Sequence, residues 1–333
     1  MSVSVNLLLS YALNASVDLA AVRTNLVCGQ MMIDSGAFTA HSSGRPIELG
    51  AYAWYLERWR GHWDHAITLD VIGDPAATRA NTRKLHDRGL PVMPVFTRGD
   101  SLAEFDAMVR EVGYVCVGGL VGMPGEAQTA RVGMLQRRAE RLGGGIHALG
   151  VGALSVLRRA RPYSADASNI SVQFRYGGIA YFDGRDVRQV TVADHAAILR
   201  AHRHLMEHEI DLAPLVRAGR LPSKAGGRQD LMKAMSLSYA AADEALRQWI
   251  PVPPPVRFTN SGPHLFSSVS GNDYEGASAA DAHLHGRRPV GAGLGALPLL
   301  GQDPARVAPW NPPIWRRWGS RHVCRRRGLT DAA

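Results

Sequence analysis

Three aspartates stand where short apolar runs stop: Asp34 after Met31-Met32-Ile33, Asp70 after Ala66-Ile67-Thr68-Leu69, and Asp166 after Tyr163-Ser164-Ala165. Apolar runs of this length, ended by turn-forming residues, read as buried strands. Each carboxyl then lies at a strand's C-terminal lip, where sheets wound with helices hold their ligands. A carboxylate there is costly unless it is solvated, paired or used. Taken singly, each aspartate is equally well a helix N-cap or a turn former. Three at one place in a repeated strand pattern would converge on a single rim. Such a set suits chemistry at an anomeric carbon: one carboxylate attacks the sugar C1′, a second carboxyl handles the leaving group, and a third holds the donors of a base. Close carboxylates also push each other's pKa values apart, which divides acid from base.

Two further runs end on glycine. Residues 114–117 lead into Gly118-Gly119, and residues 146–149 lead into Gly150-Val151-Gly152. Gly118 and Gly119 would let a planar ring approach the backbone, whose N–H groups can read its edge. His147, just inside its strand, reads as a packed or hydrogen-bonded histidine with the option of lining a pocket. His204 and His208 have metal-ligand spacing on an expected helix, yet a solvated helix face explains them equally simply, as it does His283 and His285 in the tail.

Positioning these groups requires a repeated frame. Strands are expected at 3–9, 30–34, 66–70, 90–96, 114–117, 146–149 and 163–166. Helices are expected at 19–26, 49–63, 75–87, 101–111, 126–142 and 154–159. In the 49–63 helix, Tyr52, Tyr55, Leu56 and Trp59 form a stripe that reads as core. Strict alternation implies a parallel sheet, and seven units point to a (β/α)8 TIM-barrel-like fold. An open dinucleotide-binding sheet fits less well: no GxGxxG follows the first strand, and Gly143-Gly144-Gly145 precedes a strand. Beyond Asp166 the pattern becomes a hairpin over 174–192, turning at Asp183-Gly184, and then helices at 192–209 and 229–249. Pro251-Val252-Pro253-Pro254-Pro255 ends regular structure. The expected division is a barrel-like domain over 1–250 and a loosely ordered, Pro/Gly-rich basic extension over 251–333.

The composition narrows the partners. Hydrophobic residues make up 46% of the 333, enough for a large core. No apolar run approaches the roughly 20 residues of a membrane helix. The first ten residues lack the basic start of a signal peptide, so a cytoplasmic protein is expected. Cys28, Cys116 and Cys324 are too few and too scattered for a disulfide framework or a cysteine-only zinc site. The net charge is +9, and with only three lysines (Lys84, Lys224, Lys233) it is carried by arginine. That sign favours a polyanionic partner. Arg316, Arg317, Arg321, Arg325, Arg326 and Arg327 gather around Trp315 and Trp318, a mixture that can hold phosphates and stack bases.

Asp34-Ser35-Gly36-Ala37-Phe38, Gly118-Gly119-Leu120, Leu149-Gly150-Val151-Gly152 and Asp166, in this order, resemble the tRNA-guanine transglycosylase family, and more closely its phage branch, which places 7-deazaguanine bases into DNA. The resemblance spans residues 3–188; Arg175-Tyr176-Gly177 followed by Phe182 is similar to the family's segment after the nucleophile. It implies that Asp166 is the nucleophile and that Asp34 is the general acid/base. It further implies that Asp70, Gly118, Gly119, Ser35 and Phe38 bind the base, and that no cofactor is needed. Two features depart from the tRNA enzymes. After Asp166 only Cys324 remains, so their three-cysteine, one-histidine zinc subdomain is absent, and Thr97-Arg98-Gly99 stands where they offer a glutamine. The expected function is a pentosyltransferase that exchanges guanine in DNA for a free 7-deazaguanine base. The same exchange on tRNA, and non-catalytic nucleic-acid binding, remain as alternatives; no membrane partner is expected.

Overall fold

The computed structural model describes residues 5–25, 28–167, 178–191, 194–206, 225–249 and 264–269. Its centre is an eight-stranded, wholly parallel sheet flanked by helices, an α/β fold. The strands are β1 (Val5–Ser10), β2 (Cys28–Asp34), β3 (His65–Ala66), β4 (Val95–Phe96), β5 (Tyr114–Val117), β6 (Gly145–Ala148), β7 (Ser164–Ala167) and β10 (His264–Val269). They lie in the order β3-β2-β1-β10-β7-β6-β5-β4. Its two ends also touch: Ile67, after β3, bridges to Met93, before β4, and the Thr68 N–H donates to the Met93 carbonyl at 3.0 Å. A two-stranded antiparallel hairpin, β8 (Gly178–Phe182) and β9 (Val187–Thr191), stands apart.

Local chemistry sets most helix boundaries. The helix α1 (Tyr11–Asn14) follows β1 directly, and α2 (Leu19–Asn25) and α3 (Ala37–Ser43) flank β2. The helix α4 (Leu49–Arg58) buries Tyr52, Tyr55 and Leu56, with Tyr11 packed 5.3 and 5.1 Å from the two tyrosine rings. In α5 (Pro75–Asp87), proline fills the first position, where no N–H is needed, and Asp74 accepts from the Ala77 N–H at 2.9 Å. A reciprocal Ser101–Glu104 capping box opens α6 (Leu102–Val112). Next come α7 (Gly125–Arg141), α8 (Leu154–Ala160), α9 (His195–Met206) and α10 (Ala225–Trp249). Asp243 of α10 accepts from the Asn6 side chain on β1 at 3.2 Å, which ties the last long helix to the first strand. No helix among the described residues is long and apolar enough to cross a membrane.

Alternate residues of β1, β2, β4 and β5 enter different apolar clusters, as a period of two requires. Leu7, Leu9, Met31, Ile33, Phe96, Val115 and Val117 join the large cluster with the helices. Leu8, Met32, Ile67, Met93, Val95, Tyr114, Cys116 and Tyr163 form a second, smaller cluster on the other face.

Three expectations need correction. Residues 264–269 are not part of a separate extension. They form β10, inserted between β1 and β7, so the boundary set at 250/251 cuts through the sheet. Strand β3 stops at Ala66; Ile67 beyond it makes a single parallel bridge to Met93, and Asp70 lies outside the strand. The 49–63 helix ends at Arg58. The arginine-tryptophan cluster of the tail, Arg175-Tyr176-Gly177, His208, His283, His285 and Cys324 lie outside the described residues.

Candidate functional site

Parallel strands put all their C-terminal ends on one rim. Ser10 is in register with Asp34, Val117 with Ala148, and Ala148 with Ala165, so Gly118, Leu149 and Asp166 stand at one level. Asp34 lies two residues after Met32 and Asp166 two after Ser164. By strand alternation Asp34 continues the face of the smaller cluster, which holds Met32, and Asp166 does so too, since Ser164 bonds the Tyr114 hydroxyl of that cluster.

Asp34 is half-buried. Burial first, and then the Asp166 carboxyl, push its pKa up to about 7; Asp70 adds a smaller push in the same direction, opposed by the Gly36 and Ser35 N–H groups. The Gly36 N–H reaches Asp34 Oδ2 at 3.0 Å. Gly36 sits at φ 80°, and a Cβ there would collide with Ser10 Oγ and Ala12 Cβ. This turn needs glycine both for its backbone angle and for the close approach. Asp34 is thus a turn former and a member of the carboxylate set at once.

Asp166 is buried at 7% exposure and accepts from the Gly150 N–H at 2.7 Å, across strands rather than within a turn. His147 Nε2 lies 3.4 Å from the same oxygen, Oδ1. The other ring nitrogen, Nδ1, meets Ser164 Oγ at 2.6 Å, and the Tyr114 hydroxyl bonds that same Ser164 oxygen. A line of polar groups therefore runs through the small cluster from Tyr114 to Asp166. His147 is fully buried, so it does not offer a freely solvated base. Cys116, beneath the rim, has its thiol raised well above the ordinary range by burial and then by Asp34, Asp166 and Asp70. One buried group thus feels all three carboxylates.

Asp70 is half-buried and its pKa is raised, chiefly by burial. The Thr78 hydroxyl donates to its Oδ1 at 2.8 Å, and the same hydroxyl accepts from the Val71 N–H at 2.8 Å. Asp74, not Asp70, caps α5, so the simple capping explanation belongs to the neighbour.

The glycine pair divides. The Gly118 N–H donates to the Phe96 carbonyl at 2.9 Å, so Gly118 is corrected from base-reading donor to ladder residue. Gly119 is exposed at φ 67°, and among the described residues its N–H has no acceptor. Ser35 is buried at 1% exposure, and its hydroxyl has no hydrogen-bond partner among the described residues. Phe38, in the first turn of α3, exposes two-thirds of its surface.

Several contributors went unread in the sequence. Ser164 and Tyr114 were expected only as strand residues, and Arg131 only as part of the 126–142 helix. Counting back by two from Asp166 would have found Ser164; His147, read as a packed or hydrogen-bonded histidine, is buried and bonded to that serine. On α9, His204 stacks on Tyr181 with centroids 5.5 Å apart, a packing role. Among the described residues, no three His, Cys, Asp or Glu side chains group as metal ligands. A cleft lined by Arg60, His86, Leu90, Pro91 and Glu111 lies at the opposite ends of the strands, away from the aspartates. No family model and no curated protein matches this chain.

Proposed function

We propose that the chain is a base-exchange glycosyltransferase of the guanine/7-deazaguanine type, acting on DNA and built on a closed (β/α)8 barrel. The Ile67–Met93 bridge, which joins the first and last strands of the sheet order, supports closure. The observation that carries the chemistry is Asp34: burial and the neighbouring Asp166 push its pKa up to about 7, so it can give and take a proton near neutral pH. Asp166, fixed by the Gly150 N–H, attacks C1′ of the nucleotide. The C1′–N9 bond breaks, and its electron pair leaves with guanine, which takes the Asp34 proton. The incoming base returns a proton to Asp34 as its N9 attacks C1′ and releases the Asp166 ester oxygen. Asp70 holds the base edge, and the exposed Phe38 ring offers a stacking face beside the rim. DNA is favoured over tRNA because only Cys324 follows Asp166, which leaves no zinc site of the tRNA type.

The direct test is exchange. Duplex DNA and tRNA, each carrying labelled guanine, are incubated with the protein and a free 7-deazaguanine base. We expect label to leave DNA and remain in tRNA. Release from tRNA alone would move the substrate to RNA, and retention in both polymers would reject the exchange reaction.

A further inference from the structure

Beside the carboxylate rim, two arginines, Arg98 and Arg131, have no carboxylate partner among the described residues. The stem of Arg98 lies across Gly119: a Cβ on that glycine would come within 3.4 Å of Arg98 Cγ and 3.5 Å of Nε. Arg131, on α7, places its guanidinium 5.6 Å from the centroid of Phe96, whose carbonyl holds the Gly118 N–H. Arg131 Nε and Nη2 are shielded from solvent, yet among the described residues they have no hydrogen-bond acceptor. The acids nearby in sequence are committed elsewhere: Asp100 to Arg79 and the Thr97 N–H, Glu126 to Arg159. Arg131 lies against Phe96, and Arg98 stands two residues further on and across Gly119. Both side chains thus come to the β4–β5 side of the rim, where burial and then the positive charge of Arg98 lower the Arg131 pKa.

A shielded N–H without an acceptor is expensive, and two adjacent guanidiniums repel. An oxyanion between them relieves both costs. Arginine's planar fork matches phosphate in geometry, and the neighbouring Gly119 N–H adds a backbone donor on the same side. We propose that Arg98, Arg131 and the Gly119 N–H form a phosphate-binding site on the β4–β5 side of the rim, in which the anion is a phosphodiester of a nucleic acid strand. The choice of phosphodiester rests on the exchange reading; the phosphate chemistry of the site does not. A strand anchored there would present a neighbouring nucleotide to the aspartates at the ends of β2 and β7.

The experiment measures binding, not exchange. A short single-stranded DNA labelled for anisotropy is titrated over a salt series against wild type, Arg98→Ala, Arg131→Gln, Arg131→Lys and Arg83→Ala, with melting temperature as the folding check. Arg83 is exposed on α5 and serves as the control. Each lost phosphate contact should flatten the slope of log affinity against log salt by about 0.7 for a single strand. Arg98→Ala and Arg131→Gln should each weaken binding about tenfold. Arg131→Lys should recover part of the slope, and Arg83→Ala should match wild type. Inorganic phosphate is added in a second arm. If it raises the wild-type melting temperature but not that of Arg98→Ala, while strand affinity is equal in both, the site takes free phosphate and the phosphodiester assignment is overturned. Folded variants with wild-type affinity, slope and phosphate response would overturn the site altogether. Arg-dependent binding without exchange would remove the exchange reading and leave the site; exchange without Arg dependence would do the reverse.

Discussion

Charged side chains keep different company at the two ends of the strands. At the N-terminal ends they are matched. Asp64, leading into β3, accepts from the Met31 N–H at 2.7 Å and pairs with Arg23. Arg88, just past α5, holds both oxygens of Glu57 at 3.0 Å. At the C-terminal ends, Asp34 feels the negative charge of Asp166 and, less strongly, of Asp70, and Arg131 feels the positive charge of Arg98. Matching is available on that side too, since Asp100 and Arg79 pair there. Like charges have therefore been gathered where opposite ones could have been used. The matched end serves the fold; at the other end Asp34 bears the cost of like-charged neighbours, which on the exchange reading a substrate with a transferable proton would relieve.

The largest expected effect falls on Asp34. Asp34→Asn keeps the shape and removes the transferable proton, and general acid–base groups contribute about 10²–10⁴-fold in rate. Single-turnover exchange should slow by that order while the melting temperature at pH 7 does not fall. An unchanged rate would reduce Asp34 to its turn-forming role.

Stability against pH probes the same tension without substrate. Folded Asp34 holds its proton up to about pH 7, whereas an unfolded aspartate releases it near 4. Between these values the folded state binds the extra proton, so this term is most favourable at low pH and is lost as pH rises through 7. Asp34→Asn should therefore gain stability relative to wild type above pH 7, by up to a few kcal/mol at about 1.4 per pKa unit, and the gain should vanish near pH 4. Denaturant titrations at pH 4, 6 and 8 read this, and a pH-independent difference would contradict it.

Asp70→Ala should weaken a guanine-type base about 10–100-fold in a competition assay, since charge-assisted hydrogen bonds are lost, with little change in unfolding. Equal affinity would show Asp70 to be a partner of Thr78 and nothing more. Smallest of all is the matched end. Glu57→Gln breaks a solvent-facing pair and should cost less than about 1 kcal/mol with no change in exchange.

Much of this contrast was legible in the chain itself. Met31-Met32-Ile33 before Asp34 and Tyr163-Ser164-Ala165 before Asp166 place both carboxyls at strand ends, because side-chain alternation and turn chemistry are local. Asp74-Pro75 and Ser101 announce their helices for the same reason. What depends on register between distant segments was not legible. Gly118 loses its donor only because Phe96 lies alongside it. The segment 264–269 pairs with β1 and β7, far away in sequence, and it follows a proline-rich stretch that locally signals the end of regular structure. Arg131 likewise reaches the ring of Phe96 only once α7 packs beside β4.

The central claim is that Asp166 is the attacking group, and trapping its ester tests it most directly. Wild-type protein and Asp166→Asn are mixed with guanine-containing DNA in the absence of an incoming base, denatured, and separated on a gel. The wild type should carry a denaturation-resistant protein–DNA adduct, while Asp166→Asn, folded to the same melting temperature, should carry none. An adduct that survives in Asp166→Asn would place the nucleophile elsewhere and contradict the mechanism.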